Sequence, residues 1–191
     1  MNKIIGILGM QGAIAEHQEI LIQIPHIKTR IVKTAKDLDC IDGLILPGGE
    51  STAIGKLLDY FSLKEILQQK IISGLPVFGT CAGLILLAKN IENETNTHLA
   101  TMDITVKRNG YGSQLDSFST NLLIPTIDKN MPIPLVFIRA PYITKTDKDV
   151  QILATLDNKI IAARQKNMLV TAFHPELTND LRFHQYFLSM I

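Results

Sequence analysis

Two short segments of this chain carry residue types that can do covalent chemistry together. Gly79-Thr80-Cys81-Ala82-Gly83 follows an apolar run, Pro76-Val77-Phe78, and opens another, Leu84-Ile85-Leu86-Leu87-Ala88. Gly-x-Cys-x-Gly between a strand and a helix is the thiol form of a nucleophile elbow. Its glycines permit a sharp turn and close packing, so the middle residue projects from the strand end. At a helix start, free N–H groups and the helix dipole favour the thiolate. The same five residues also suit a cysteine that merely packs in a core. The second segment, His174-Pro175-Glu176, follows the apolar run Leu169 to Phe173. In extended chain, residues i and i+2 face the same side, and Pro175 biases His174 toward that conformation. Glu176 is then placed to fix the tautomer of the imidazole and to stabilise imidazolium, which is the logic of a catalytic triad. The expectation is Cys81 as nucleophile, His174 as base and Glu176 as its orienter. The alternative is a surface His-Pro-Glu turn. His17, His26, His98 and His184 read as solvated or helix-face residues and are assigned nothing.

Alternating strands and helices must bring these residues together. Ile4 to Leu8 is an unbroken apolar run, as expected of a strand covered on both faces. Gly9-Met10-Gln11-Gly12 is a turn, and a helix is predicted over 13–24, ended by Pro25. Lys28 to Val32 and Gly43 to Leu46 are further strands, the second stopped by Pro47-Gly48-Gly49. Ser51 is placed to cap a following helix, and Leu63, Ile66, Leu67 and Ile71 mark another with helical period. Pro76 to Phe78 is the strand that enters the elbow. This alternation predicts a doubly wound α/β sheet, whose ligands bind beyond the carboxyl ends of the strands. Three loops lie at such ends: Gly9 to Gly12, Pro47 to Ser51, and the elbow. The second half reads as strands at Met102 to Val106, Leu135 to Arg139, Val150 to Leu156, Lys159 to Ala163 and Leu169 to Phe173. Turns at Asn158-Lys159 and Lys166-Asn167 suggest an antiparallel meander. A last helix is expected over 179–191. With neither repeat nor linker, the 191 residues read as one domain.

Composition narrows the function classes. The chain is 46% hydrophobic and 19% charged, with 19 basic against 18 acidic residues and a net charge of +1. That balance offers no electrostatic reason to expect nucleic acid or an anionic membrane as partner. Two cysteines, Cys40 and Cys81, are too few for a disulfide scaffold and lack zinc-ligand spacing, so reduced thiols in a cytoplasmic protein are expected. Ile4 to Met10 followed by Ala13-Ile14-Ala15 loosely imitates a signal peptide. Gln11 interrupts the run and only Lys3 precedes it, which favours a strand and helix start. No apolar run has the length of a membrane span.

The elbow and the His-Pro-Glu segment together resemble the class I (triad) glutamine amidotransferases. Five further segments sharpen the match: Leu46-Pro47-Gly48-Gly49-Glu50-Ser51-Thr52, Gly9-Met10-Gln11-Gly12, Arg108-Asn109-x-x-Gly112, Asp116-Ser117-Phe118 and Phe137-Ile138-Arg139-Ala140-Pro141. With these the chain resembles the family of glutaminase subunits of pyridoxal 5′-phosphate synthase, from Ile4 to about Phe187. Gly110-Tyr111 and Met10 are small departures from the family pattern. The resemblance implies a three-layer α/β/α fold, flavodoxin-like, with a mostly parallel central sheet and a smaller antiparallel section. It implies hydrolysis of L-glutamine to L-glutamate and ammonia, with no metal or organic cofactor. It carries Cys81, His174 and Glu176 as the triad. It maps glutamine binding to Gly49, Glu50, Ser51, Arg108, Ile138 and Arg139, and the oxyanion hole to backbone N–H groups at Gly49 and Ala82. The implied partner is a β/α-barrel synthase subunit in a hetero-oligomer, with Gln11 at the interface. The alternatives are a glutaminase subunit of another class I amidotransferase, such as imidazole glycerol phosphate synthase, a cysteine hydrolase of esters or lactones, and a non-catalytic binding subunit.

Overall fold

A computed structural model describes residues 2–110 and 117–191. Tyr111, Gly112 and Asp116, quoted above, lie outside the described residues. The apolar runs of the first half form the centre of a large sheet. β1 (Lys3–Leu8) lies between β2 (Ile27–Val32) and β3 (Gly43–Leu46), and β4 (Val77–Thr80) follows β3, all parallel. On the other side of β4 lies β12 (Met168–Thr171), also parallel, so a strand from the end of the chain completes the buried centre. Every residue of β3, β4 and β12 is buried, which is why these runs show no alternation.

Helices cover both faces. α1 (Ile14–Leu21) and α5 (Arg182–Leu188) lie on the face to which β4 presents Phe78, whose ring packs 5.6 Å from Phe187 and 5.7 Å from His184. The opposite face carries α4 (Ala82–Leu87), with α2 (Ser51–Tyr60) packed on it and α3 (Lys64–Ile72) on α2. This is the expected three-layer α/β/α arrangement. Beyond β12 the sheet becomes antiparallel through β11 (Lys159–Gln165), β9 (Tyr142–Thr146) and β6 (Met102–Lys107), with β5 (Ala88–Ile91) parallel to β6 and β10 (Gln151–Leu156) paired to β11.

Some elements differ from expectation. The apolar run after the elbow is not one helix: α4 ends at Leu87, and Ala88 turns into extended chain to begin β5. The predicted first and last helices are shorter, ending at Leu21 and starting at Arg182. The strand expected over Leu135 to Arg139 stands apart from the β10–β11–β12 meander. As β8 (Ile133–Ile138) it pairs with β7 (Ser117–Leu122) in a separate antiparallel sheet. β7, β9 and β5 were not legible as strands. β7 is polar and half-exposed, and the other two depend on pairing with distant segments. Aromatic contacts tie the small sheet to the large one. Phe118 stacks on Phe137 at 4.6 Å, Phe137 meets Phe173 at 5.7 Å, and Phe173 meets Phe183 of α5 at 5.0 Å.

Two glycines set how closely the site-bearing segments approach. A Cβ at Gly83 would lie 2.2 Å from the Leu46 carbonyl oxygen, so only glycine lets α4 sit this close to β3. Gly12 has φ +114°, and a Cβ there would meet the Gly48 oxygen at 1.9 Å. The adjacent Ala13 N–H donates to that same carbonyl at 2.9 Å, clamping the loop after β1 to the loop after β3. Gly83→Ala is expected to destabilise the fold by about 1–3 kcal/mol, as overpacking of a close backbone contact does. A urea denaturation midpoint equal to wild type would contradict that packing argument.

Candidate active site

Cys81 is the residue immediately after β4, and its position follows from the pairing of β4 with β12. Thr80 stands opposite Thr171, and the Cys81 N–H donates to the Thr171 carbonyl at 2.8 Å. The chain must then reverse into α4, and it does so with Cys81 at φ 48°, ψ −96°. A non-glycine residue in that region holds roughly 1–3 kcal/mol of backbone strain, which persists only where the surroundings impose it. Here Gly79 and Gly83 impose it: a Cβ on Gly79 would come within 2.6 Å of the Gly83 carbonyl group. The result is a strained elbow with Cys81, 7% exposed, at its tip.

His174 stands beyond the end of the neighbouring strand. Its N–H donates to the Val136 carbonyl of β8 at 2.8 Å, so the small sheet fixes its backbone. A short 3-10 turn at Pro175–Leu177 then brings Glu176 back beside the ring. The His174 Nδ1–H donates to Glu176 Oε1 at 2.7 Å, and the Glu176 side chain is fully buried. Burial opposes a charge on His174. Its hydrogen bonds with Cys81 and Glu176, and their negative charge, outweigh that and push its pKa up to about 10. Gly48 faces this pair across the cleft. A Cβ there would lie 2.3 Å from His174 Cε1 and 3.5 Å from Cys81 Cβ, so a side chain at Gly48 would fill the reacting space.

The thiol and the imidazole open into a cleft of about 600 Å³. Gly49, Glu50, Ser51, Ala82, Arg108, Ile138 and Arg139 all line it, as does Gln11. Glu176 stands behind His174 rather than in the cleft. Glu50, not Ser51, is the N-cap of α2, accepting from Thr52 N–H at 3.1 Å and Ala53 N–H at 2.7 Å. Carboxylate reaches farther than a serine hydroxyl, and Ser51 is drawn into the first helical turn, with its Oγ buried and without a hydrogen bond among the described residues. Burial also opposes the charge of Glu50. The N–H bonds from Ala53 and Thr52 and the nearby Arg108 guanidinium hold its carboxyl below the usual range. Arg108 donates to Glu50 at 3.0 Å, to Thr52 Oγ1 at 3.1 Å and to Glu94 at 3.2 Å, so one fork of donors is bracketed by two carboxylates. Gln11 accepts from the Glu50 N–H at 2.8 Å and braces the Gly49–Glu50 turn from the loop after β1. Arg139 sits at the rim with φ 43°, just past the end of β8.

Sequence reasoning missed two residues. His17 and His184 are not solvated: both are 0% exposed, His17 lying beside Glu176 and Thr80 behind the cleft and His184 against His17. A signal existed in the pattern. His17 precedes Ile20, Leu21 and Ile24 at helical spacing, and His184 precedes Phe187, Leu188 and Ile191 likewise, so each occupies a core-facing position. Among the described residues, no group of three or more His, Cys, Asp and Glu could hold a metal ion, and no helix is long and apolar enough to cross a membrane.

The arrangement can support nucleophilic attack by sulfur with proton transfer through an oriented imidazole. Because the pKa of His174 is raised, the imidazolium persists from acid through neutral pH and discharges only near 10. Nuclear magnetic resonance titration should place the His174 ring there in the wild-type protein. In Cys81→Ala, with one hydrogen bond and its charge removed, the midpoint should move down; an unchanged midpoint would contradict the coupling.

Comparison with known proteins agrees with this geometry. A model of the SNO glutamine amidotransferase family matches residues 7–191. Pyridoxal 5′-phosphate synthase subunit PdxT of Ruminiclostridium cellulolyticum is 53% identical over 189 residues, covering 99% of this chain and 100% of that protein. The protein of the same name from Carboxydothermus hydrogenoformans is 54% identical over 187 residues, covering 98% and 97%. A solved glutamine amidotransferase structure superposes with a TM-score of 0.91 at 37% identity, covering 97% of each chain. The chain belongs to the SNO glutamine amidotransferase family.

Proposed function

We propose that this chain is the glutaminase subunit of a pyridoxal 5′-phosphate synthase, acting as a single domain over residues 1–191 in the cytoplasm. The observation that carries this reading is the content of one cleft. Cys81, His174 and every residue assigned to glutamine binding line it, in a chain about half identical to synthase subunits over its whole length. The Cys81 sulfur attacks the side-chain carboxamide carbon of L-glutamine. His174, protonated and held by Glu176, gives its proton to the departing ammonia and leaves a thioester. His174 then takes a proton from water, which attacks the thioester and releases L-glutamate. Backbone N–H groups of Gly49 and Ala82 receive the oxyanion. Arg108 suits the α-carboxylate of the substrate, and the carboxylates of Glu50 and Glu94 around it leave the local charge negative, which suits the ammonium group. Ser51, Ile138 and Arg139 complete the walls.

Free ammonia release would waste glutamine, so the product is passed to a synthase subunit, a β/α barrel in a hetero-oligomer. Gln11 is the residue through which docking of that subunit reaches the site, because its side chain already holds the Gly49–Glu50 turn. Cys81→Ala, assayed with the synthase subunit present, is expected to lose at least about 10³-fold in ammonia release from glutamine, as removal of a triad nucleophile does. Undiminished release would refute the catalytic assignment. Wild-type turnover is expected to rise when the synthase subunit is added, and equal turnover with and without it would refute the coupling.

A further inference from the structure

The proposed mechanism leaves a buried chain of polar groups behind Glu176 without a task. His17 Nδ1 lies 3.0 Å from His184 Nε2. His17 Nε2 lies 3.2 Å from Thr80 Oγ1 and 3.5 Å from Glu176 Oε2. One carboxylate oxygen of Glu176 is occupied by His174, while Oε2 is buried and makes no close hydrogen bond. A buried carboxylate oxygen needs an N–H or O–H donor, and leaving it without one is costly.

Counting donors decides which ring nitrogens carry protons. A neutral imidazole has one N–H and one lone pair. With the His17 proton on Nδ1, it donates to His184, a lone pair faces Glu176 Oε2, and His184 keeps a buried Nδ1–H that reaches no partner. With the proton on Nε2, the donor lies 3.2 Å from Thr80 Oγ1 and 3.5 Å from Glu176 Oε2, and Nδ1 accepts from His184 Nε2–H. The charged Oε2 then faces a donor and His184 Nδ1 leaves only a lone pair unused, while the Thr80 hydroxyl gives up the Nε2 acceptor it has in the other tautomer. A donor for the buried carboxylate outweighs that loss. A doubly protonated His17 is opposed by burial first, then by the neighbouring His184 and His174, which together hold its pKa well below the ordinary histidine value.

We infer that His17 is a positioning residue for Glu176: its Nε2–H holds the second carboxylate oxygen, and His184 fixes the tautomer from behind. The carboxylate thereby faces an imidazole on each oxygen, at 2.7 Å on Oε1 and 3.5 Å on Oε2, which opposes its rotation away from His174. Thr80 Oγ1 also accepts the Gly48 N–H at 3.0 Å, so the same imidazole borders the turn that carries Gly49. The inference rests on the triad reading proposed above.

Two measurements test it. In isotope-labelled wild-type protein, long-range proton–nitrogen correlation spectra report which ring nitrogen of His17 is protonated. An Nε2–H ring is expected; an Nδ1–H or doubly protonated ring overturns the inference, and this reading requires no variant to fold. In the complex with the synthase subunit, His17→Leu is expected to lower kcat for glutamine by about 10- to 100-fold with KM changed less than about twofold, the usual effect of removing a supporting partner. His17→Gln, whose side-chain amide supplies an N–H from the same helix position, is expected to recover most of the loss. A wild-type kcat in His17→Leu, or no recovery in His17→Gln when both fold, overturns it. A wild-type complex inactive on glutamine would instead sink the glutaminase reading, and the tautomer spectrum alone would then decide this one.

Discussion

β4 and β12 come from opposite ends of the sequence and lie side by side, parallel and in register, with Thr80 opposite Thr171. The rest of the site follows from that pairing. Residues that continue two adjacent parallel strands emerge at the same edge of the sheet, so Cys81 and the His174 segment have no choice but to meet. The hydrogen bond from Cys81 N–H to the Thr171 carbonyl extends the ladder to the elbow itself. Because β3 flanks β4 and β1 flanks β3, the Gly48–Glu50 and Gly9–Gly12 loops open at the same edge. The small β7–β8 sheet then closes the far side, holding His174 by its backbone and supplying Ile138 at the rim.

The strain and charge concentrated at this edge are held by ordinary core packing. Cys81 keeps an unfavourable backbone conformation because Gly79, Gly83 and Leu46 leave no room for relaxation. Burial by itself discourages an imidazolium at His174, and the opposite charges placed beside it reverse that preference. At His17 and His184 the same burial acts without such compensation, and both are held below the ordinary histidine range. Two kinds of histidine therefore stand within one continuous network, separated by a single carboxylate. What differs between them is the number of negative neighbours.

Legibility varied with how local the determining physics was. The apolar runs at Ile4 to Leu8 and Gly43 to Leu46 could be read as buried strands because both faces are covered and no alternation competes. Cys81 was legible because a tight turn is a short-range feature, and the His174–Glu176 pair because the two are close in sequence. A 3-10 turn at Pro175–Leu177, rather than the expected extended chain, brings the carboxylate beside the ring. Ser51 was misplaced as the cap of α2 because Glu50, one residue earlier, reaches the same N–H groups with a carboxylate. β5 went unread because the apolar run from Leu84 to Ala88 does not reveal where pairing with β6 takes over. His17 and His184 were set aside because a polar residue on a helix reads as solvated unless the partner that satisfies it is known.

Sequence alone determined the chemistry-bearing residue types, the glycines that shape the elbow, and the α/β alternation that sends loops to one edge. Those are consequences of backbone sterics and of spacing within a few residues. Only the tertiary structure decided which strand lies beside β4, which carboxylate caps α2 and brackets Arg108, and that two helix histidines close a polar network under Glu176. Each of these depends on contacts between segments far apart in the chain, where burial and unfilled hydrogen-bond donors or acceptors decide the outcome, and no local pattern encodes them.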